Sequence, residues 1–139
     1  MRRKEVNPTG NFEPWPPAKL RELRQNKISE SLGQKLLFEN KNIKVWEVVL
    51  FPKERLPFRK VSSNYNFVSM TDGLAVSHCA NGQICLLHFK KRQSEFIAAE
   101  GKECIYDLEN IGKNILFLHI LEFKPLVEKM DSSDTLSFS

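Results

Sequence analysis

The stretch from Leu36 to Val61, "LLFENKNIKVWEVVLFPKERLPFRKV", decides the fold class of this chain. Within it, the segment "IKVWEVVL" places Trp46, Val48 and Leu50 at every second position. Apolar residues that recur with a period of two indicate a β-strand that buries one face. The other face is mixed, with Glu47 between two valines.

Several short segments after this stretch show similar β patterns. They are "YNFVSM", "LAVSHCA", "QICLLHF", "EFIAA", "ECIYDLEN" and "NILFLHILEFK". Asn81-Gly82, between the second and the third, is the strongest hairpin signal in the chain. A two-residue loop there would place His78 opposite Cys85. Seven or eight short strands separated by turn signals predict an all-β antiparallel sandwich or barrel.

The first part of the chain has a different composition. Residues 1–17 contain four of the seven prolines, which predicts an extended arm whose aromatic residues, Phe12 and Trp15, pack on the domain or on a partner. A proline pair at the end of this arm favours the start of a helix, because proline's missing N–H has no cost in the first turn. Helical spacing of apolar residues predicts a short amphipathic helix over residues 17–31, with Gly33 placed to end it.

These signals divide the 139 residues into three parts. We expect the arm and short helix over residues 1–33, a β-barrel over 34–128 and a disordered tail over 129–139. The tail contains the serine-rich "DSSDTLSFS". A length of 139 residues with 41% hydrophobic residues suits one domain with a packed core.

Charge and cysteine usage restrict the functional class. The net charge of +4 is small, and the basic residues are scattered, so we expect no nucleic-acid partner. No apolar run is long enough to span a membrane, and no secretory leader is present, so no membrane partner is expected. The three cysteines, Cys79, Cys85 and Cys104, indicate free thiols in the cytoplasm or another reducing compartment.

The last predicted strand, "NILFLHILEFK", is apolar on both faces. One face can fill the barrel, whereas the other needs a second partner. A second copy of the chain would cover that face, so we expect a homodimer.

The run "LLFENKNIKVWEVVLFPKERLPF", followed by a β segment and a glycine, resembles the cupin superfamily, and in particular its small single-domain, RmlC-like members. The resemblance covers about residues 36–124. It implies a double-stranded β-helix, also called a jelly-roll barrel, that is commonly dimeric. It also implies two sequence motifs whose histidines and glutamate hold a metal ion.

The first of these motifs keeps its spacing here but loses its ligands. When the motif's final glycine is placed on Gly73, its two histidine positions fall on Arg59 and Val61. Its glutamate position falls on Asn66, and its leading glycine on Lys53.

The second motif is altered in the same way. When its asparagine is placed on Asn110, its histidine position falls on Tyr106. Gly101 can serve as its internal glycine and Gln93 then takes the place of its leading glycine, with a gap two residues longer than usual before Tyr106. All four ligand positions are therefore neither histidine nor carboxylate.

These replacements predict that the barrel holds no metal and no other cofactor. A divalent ion in a barrel needs neutral imidazoles and a carboxylate that converge on one point. Arg59 brings a permanent positive charge to that point, Val61 has no lone pair, and Asn66 offers only a weak carbonyl donor. Tyr106 would have to ionise, against an ordinary pKa of about 10. Metal-dependent dioxygenase activity is accordingly not expected.

Two roles remain open for the replaced residues. Arg59, Asn66 and Tyr106 could hydrogen-bond one another and fill a dead cavity, leaving a structural or scaffold homodimer. Alternatively, Arg59 recognises a carboxylate or phosphate, with Tyr106 and Asn66 orienting this small anionic ligand.

An enzyme is the alternative to both, and the sequence does not decide whether the chain is one. Some cupin-type epimerases work without metal, and a metal-independent isomerase, epimerase or lyase would use Tyr106 and His119 here, provided that the two face one another across the cavity. The remaining candidates are weaker: Cys104 is expected to be a small buried thiol. His78 beside one cysteine is at most half of a zinc site.

Overall fold

The computed structural model describes residues 1–7, 10–12, 14–25 and 28–125. This part of the chain is mostly β-strand, with one short helix. In chain order the elements are β1 (Arg2–Asn7), α1 (Pro17–Gln25), β2 (Lys35–Glu39), β3 (Ile43–Leu50), β4 (Arg55–Val61), β5 (Tyr65–Ser69), β6 (Gly73–His78), β7 (Ile84–Phe89), β8 (Ser94–Ile97), β9 (Cys104–Asn110) and β10 (Leu116–Phe123).

The strands form two five-stranded antiparallel sheets. Their orders are β1-β7-β6-β9-β4 and β2-β3-β10-β5-β8. From β3 to β10 the chain crosses between the sheets at most connections, as in a double-sheet jelly roll. The predicted all-β jelly-roll barrel is therefore confirmed. β1 and β2 each add an edge strand to one sheet.

The main core lies between the two sheets. In β3, Trp46, Val48 and Leu50 are buried, as their alternation predicts. They belong to one hydrophobic cluster with inward-facing residues of the neighbouring strand β10, such as Leu116 and Leu118, and with residues of the opposite sheet. The outward residues of β3 and β10 are only half-buried.

A second apolar cluster lies on the outer face of the sheet that contains β4. Trp15 is buried there and stacks on Phe58, with ring centroids 6.0 Å apart and an interplanar angle of 6°. Its indole Nε1–H donates to the carbonyl of Gly82 at 2.9 Å. Phe12 packs against the same cluster. The aromatic residues of the arm therefore pack on the domain, although the arm also contains the paired strand β1.

The helix is shorter than predicted. It ends at Gln25, and the carbonyl of Ser29 accepts a hydrogen bond from the N–H of Lys60 at 2.8 Å. Ser29 thus already runs beside β4, which a helix to residue 31 would prevent. Gly33 does not end the helix but lies against β3, where a Cβ would come within 2.8 Å of the backbone of Glu47.

The hairpin at Asn81-Gly82 forms, but with a longer loop than predicted. The N–H of Gly82 donates to the carbonyl of Cys79 at 2.9 Å, and Gly82 has a φ of 96°. A tight turn followed by a glycine at positive φ adds residues to the loop. His78 therefore pairs with Ile84 and not with Cys85.

Two of the sequence predictions are not tested by the described residues. The predicted disordered tail, residues 129–139, lies outside the described residues, and the three domain boundaries stay a prediction. Within the described ranges, no helix combines the length and the apolar character that a membrane crossing requires.

Candidate functional site

A cavity of about 590 Å³ lies within the barrel. Residues of both sheets line it, together with Met1 and Arg3 of the N-terminal segment. Most of the lining side chains are apolar, and the polar groups among them include Arg59, Tyr65 and Tyr106. This volume falls in the range of about 300–1,000 Å³ that is usual for small-molecule sites.

Arg59 and Tyr106 lie side by side on the cavity wall. They are direct partners in the antiparallel ladder between β4 and β9, so their side chains leave the sheet on the same face. Val61, two residues after Arg59, also lines the cavity. Arg59, Val61 and Tyr106 therefore all line the cavity.

Asn66 does not lie in the cavity, so the expectation that it points into the barrel is wrong. Its neighbours Tyr65 and Phe67 line the cavity, and a strand alternates its side chains between two faces. The motif permits three or four residues between its second histidine and its glutamate. Placing the final glycine on Gly73 gave four residues in this gap. The structure instead fits a gap of three, which puts Tyr65 at the glutamate position.

Tyr65 and Tyr106 form a hydrogen-bonded pair. Their hydroxyl oxygens are 2.9 Å apart, and either can be the donor. Burial raises the pKa of Tyr65. Burial, followed by the influence of Tyr65, raises the pKa of Tyr106 well above its ordinary value. Both phenols are therefore neutral near pH 7 and act as hydrogen-bond donors as well as acceptors.

Arg59 carries a buried donor without an acceptor. Its Nε atom is buried and has no hydrogen-bond partner among the described residues. Among the described residues, no ion pair joins Arg59 to an acidic side chain. By contrast Arg55, four residues earlier, pairs with Glu22 and Asp107. Burial lowers the pKa of Arg59, yet a guanidinium stays charged near neutrality. The cavity wall thus carries a positive charge that pairs with no acidic side chain of the described residues.

His119 does not reach the cavity. It lies in β10 between the buried residues Leu118 and Ile120, so its side chain leaves the outer face of the sheet. There its ring contacts Phe117, with centroids 5.0 Å apart. Tyr106 and His119 therefore do not face one another across the barrel, which removes the geometry required by the proposed acid and base pair.

The thiols near the cavity do not form a nucleophilic site. Cys104 lines the cavity but is exposed, which corrects the expectation of a buried thiol. Burial raises the pKa of Cys79, another lining residue, to about 11. A thiol with such a pKa is almost entirely protonated at neutral pH and is a poor nucleophile.

A second polar cluster, which the sequence did not indicate, centres on Asp107, one of the residues that line the cavity. Asp107 is buried and accepts hydrogen bonds from Arg55 Nε at 2.7 Å and from the backbone N–H of His78 at 2.6 Å. Arg55 in turn donates to both carboxylate oxygens of Glu22 in α1. Burial alone would raise the pKa of Asp107, but the hydrogen bonds from His78 and Arg55 lower it. Through these hydrogen bonds the cluster joins α1 to β4 and β9 of the barrel.

The residues that the cupin resemblance places at metal-ligand positions do not fit a divalent metal ion. They are Arg59, Val61 and Tyr106, with Tyr65 in the position that the alignment gave to Asn66. They offer a cation, an alkyl group and two neutral phenols, where imidazoles and a carboxylate are needed. Within the ranges that the structure describes, no three His, Cys, Asp or Glu side chains converge as ligands.

No protein-family model and no curated protein matches the sequence. Among solved structures, the chain is similar to a cupin domain from Bordetella pertussis, at 20% identity and a TM-score of 0.58, over 72% of this chain and 99% of that one. It is also similar to an RmlC-like cupin family protein from Methanocaldococcus jannaschii with a double-stranded β-helix fold. The identity there is 13% and the TM-score 0.52, over 64% and 76% of the two chains. The chain therefore has the double-stranded β-helix fold of the cupin superfamily.

Proposed function

We propose that the barrel is a metal-independent binding site for a small anionic ligand, anchored by Arg59. The observation that carries this proposal is that Arg59 lines the cavity while its buried Nε–H lacks an acceptor among the described residues. A buried donor left unpaired costs about 1–3 kcal/mol. An anion in the cavity would supply both the missing acceptor and the missing counter-charge.

The surroundings of Arg59 support binding over a filled, dead cavity. A guanidinium pairs with a carboxylate or phosphate through two parallel hydrogen bonds. Tyr106, next to Arg59 across the ladder, is half of the neutral tyrosine pair and can orient the same anion. The volume of about 590 Å³ leaves room for a ligand that these side chains do not occupy.

A thermal-shift screen of the full chain tests this proposal. Carboxylates, phosphates and sugar nucleotides are compared with divalent metal ions, on the wild type, on Arg59→Met and on Arg21→Met, whose arginine is exposed on α1. A binding anion at about 100 times its Kd should raise the Tm of the wild type and of Arg21→Met by roughly 10 °C. The same anion should leave the Tm of Arg59→Met unchanged.

Two results would contradict the proposal. One is an anion response that Arg59→Met retains in full. The other is a stoichiometric divalent metal, found by elemental analysis of the purified protein, whose binding involves the residues around the cavity.

We also infer that the chain is a homodimer that associates through the outer face of the sheet containing β2, β3 and β10. Support comes from the apolar side chains on this sheet: Phe38 is 52% exposed and Phe96 is 55% exposed. All five residues of β2, "KLLFE", are exposed, although three are large and apolar. An exposed, apolar edge strand favours association with another chain.

Light scattering coupled to size-exclusion chromatography tests the dimer. At micromolar concentration the wild type should have twice the mass of one 16.1 kDa chain. Phe96→Asp should shift it towards the monomer, whereas Ile111→Asp, in the turn after β9, should not. A wild-type mass of one chain would remove the dimer and leave the anion site unaffected.

A further inference from the structure

We infer that the ligand class is a carboxylic acid with one negative charge and a compact apolar body, and not a sugar phosphate or a nucleotide. This inference rests on the anion site proposed above and adds the chemistry of its ligand. Three features of the cavity support it: the hydrogen-bond donors around Arg59, the charges on the wall and the apolar side chains of the wall.

The donors around Arg59 match the oxygens of one carboxylate. The buried Nε–H of Arg59 has no acceptor in the described structure. Of the two phenol protons of Tyr65 and Tyr106, one is used between the two hydroxyls and the other is left for a further acceptor. A guanidinium and one phenol O–H can satisfy the two oxygens of a carboxylate. A phosphate dianion carries a second negative charge, for which these groups provide no second positive charge.

The remaining charges on the cavity wall do not form a second anchor. Arg3 and Glu103 also line the cavity, but both are exposed and their charges are opposite. The terminal ammonium of Met1, another lining residue, pairs with Glu95 at 3.1 Å. Asp107 is already engaged by Arg55 and His78. Arg59 therefore supplies the net charge that an enclosed ligand meets, and it balances a single negative charge.

The wall around this anchor favours an apolar ligand body. Six of its side chains, drawn from both sheets, are large and apolar and belong to the main core cluster: Leu56, Val61, Phe67, Leu87, Phe89 and Leu118. The hydroxyl of Ser77, a polar member of the wall, is already donated to the carbonyl of Asp107 at 2.6 Å. Sugar hydroxyls placed among these six apolar side chains would lose water without gaining partners, which is unfavourable. An aromatic or branched aliphatic group would instead be stabilised by burial.

Isothermal titration calorimetry on the full chain tests the ligand class. The probes are 3-phenylpropanoate and octanoate as apolar acids, 3-phenylpropanamide as the neutral counterpart of the first, acetate as an acid without a body, and glucose 6-phosphate. At least one apolar acid should bind. Acetate, the amide and the sugar phosphate should each have an affinity at least about tenfold lower than that of this acid. Arg59→Met should lose the preference for acid over amide, while Arg21→Met should keep it.

A second variant keeps the test decisive if Arg59→Met does not fold. Tyr106→Phe preserves the ring and its packing but removes a hydroxyl, and we expect it to weaken binding of the acid about threefold to tenfold. The amide should be weakened less, because its neutral carbonyl accepts a weaker hydrogen bond than a carboxylate does. Circular dichroism of each variant establishes that it is folded.

The outcomes separate this inference from the proposed function. If glucose 6-phosphate binds more tightly than both apolar acids and depends on Arg59, the anion site stands and the ligand class is overturned. If no anion among the probes binds in an Arg59-dependent way, both are overturned.

Discussion

At the scale of single residues, the turn before β4 keeps a backbone conformation that its sequence does not favour. Residues 51–54 form a tight turn, with the N–H of Glu54 donating to the carbonyl of Phe51 at 2.9 Å. Pro52 occupies its second position and Lys53, with a φ of 76°, its third. A turn of this type requires positive φ at the third position, where glycine is preferred. Lys53 is also the residue that the motif alignment placed at the leading glycine.

Replacing Lys53 by glycine should therefore stabilise the protein. A lysine at positive φ costs about 1–2 kcal/mol, part of which is offset by the greater freedom of glycine in the unfolded chain. We expect Lys53→Gly to raise the free energy of unfolding by about 1 kcal/mol, measured by urea denaturation. Lys41→Gly, also at an exposed position but without positive φ, should lower it. Equal losses for both variants would contradict this explanation.

In the second motif, a residue other than glycine also has a positive φ, but it lies one residue away from the predicted glycine position. The alignment placed its leading glycine at Gln93, whereas the positive φ of 72° occurs one residue earlier, at Arg92. Gly101, the internal glycine of that alignment, does have a positive φ, of 70°. Gln93 was counted back from Gly101 with the usual spacing of the motif, so the offset of one residue lies between these two positions.

Asp107 makes the stability of the protein depend on pH in a defined direction. Its pKa is lowered in the folded protein, because hydrogen bonds from His78 and Arg55 outweigh burial. A lowered pKa means that the folded state favours the carboxylate, so the stabilisation is complete above the ordinary value of about 3.9. It is lost as the pH falls below that value and through the folded pKa.

We expect Asp107→Asn to lower the free energy of unfolding by about 2 kcal/mol at pH 7, because it removes the buried carboxylate and leaves Arg55 paired with Glu22 alone. The difference from the wild type should shrink between pH 4 and pH 3 as Asp107 is protonated. Urea denaturation of both proteins at the three pH values measures this. A difference that stays constant down to pH 3 would mean that the charge of Asp107 is not what stabilises the fold.

At the scale of elements, the N-terminal arm is a part of the fold and covers one sheet. Trp15 is 4% exposed and lies between Phe58 and the ring of His78, whose centroid is 5.1 Å away. Its hydrogen bond to Gly82 joins the arm to the hairpin of β6 and β7. The arm therefore buries the outer face of this sheet, while the outer face of the other sheet remains available for a second copy.

Removing the Trp15 side chain should destabilise the whole domain. Truncation of a buried tryptophan typically costs about 3–5 kcal/mol, and we expect Trp15→Ala to fall in this range by urea denaturation. Trp15→Phe keeps most of the ring contact but loses the hydrogen bond to Gly82, so it should cost about 1–2 kcal/mol. A loss below about 1 kcal/mol for Trp15→Ala would show that the arm is not a structural part of the domain.

The strands could be predicted from sequence more reliably than their register. The alternation of Trp46, Val48 and Leu50 identified β3 because burial of one face imposes a period of two. The same period makes an error of one residue move a side chain to the opposite face. An error of this kind led to the prediction of Asn66 in the cavity, where the structure has Tyr65.

At the scale of the whole molecule, the chain keeps the barrel of the cupin fold but places different chemistry in its cavity. Arg59 and Tyr106 could be predicted there because the spacing of the motifs follows the geometry of the strands. The cluster around Asp107 could not, because its partners are brought together only by folding: Glu22 lies 33 residues before Arg55, and Asp107 lies 52 residues after it. No local pattern in the sequence records such contacts.

The proposed role of the barrel depends on the unpaired Nε–H of Arg59. Nuclear magnetic resonance of arginine Nε–H groups in ¹⁵N-labelled full-length protein observes this atom directly, and its signal is the one missing from the spectrum of Arg59→Lys. Titration with 3-phenylpropanoate should move the Arg59 signal in a saturable way, while the signal of Arg55, already paired with Asp107, should stay in place. An Arg59 signal that remains unchanged while the acid binds elsewhere on the protein would contradict an anion site anchored by this residue.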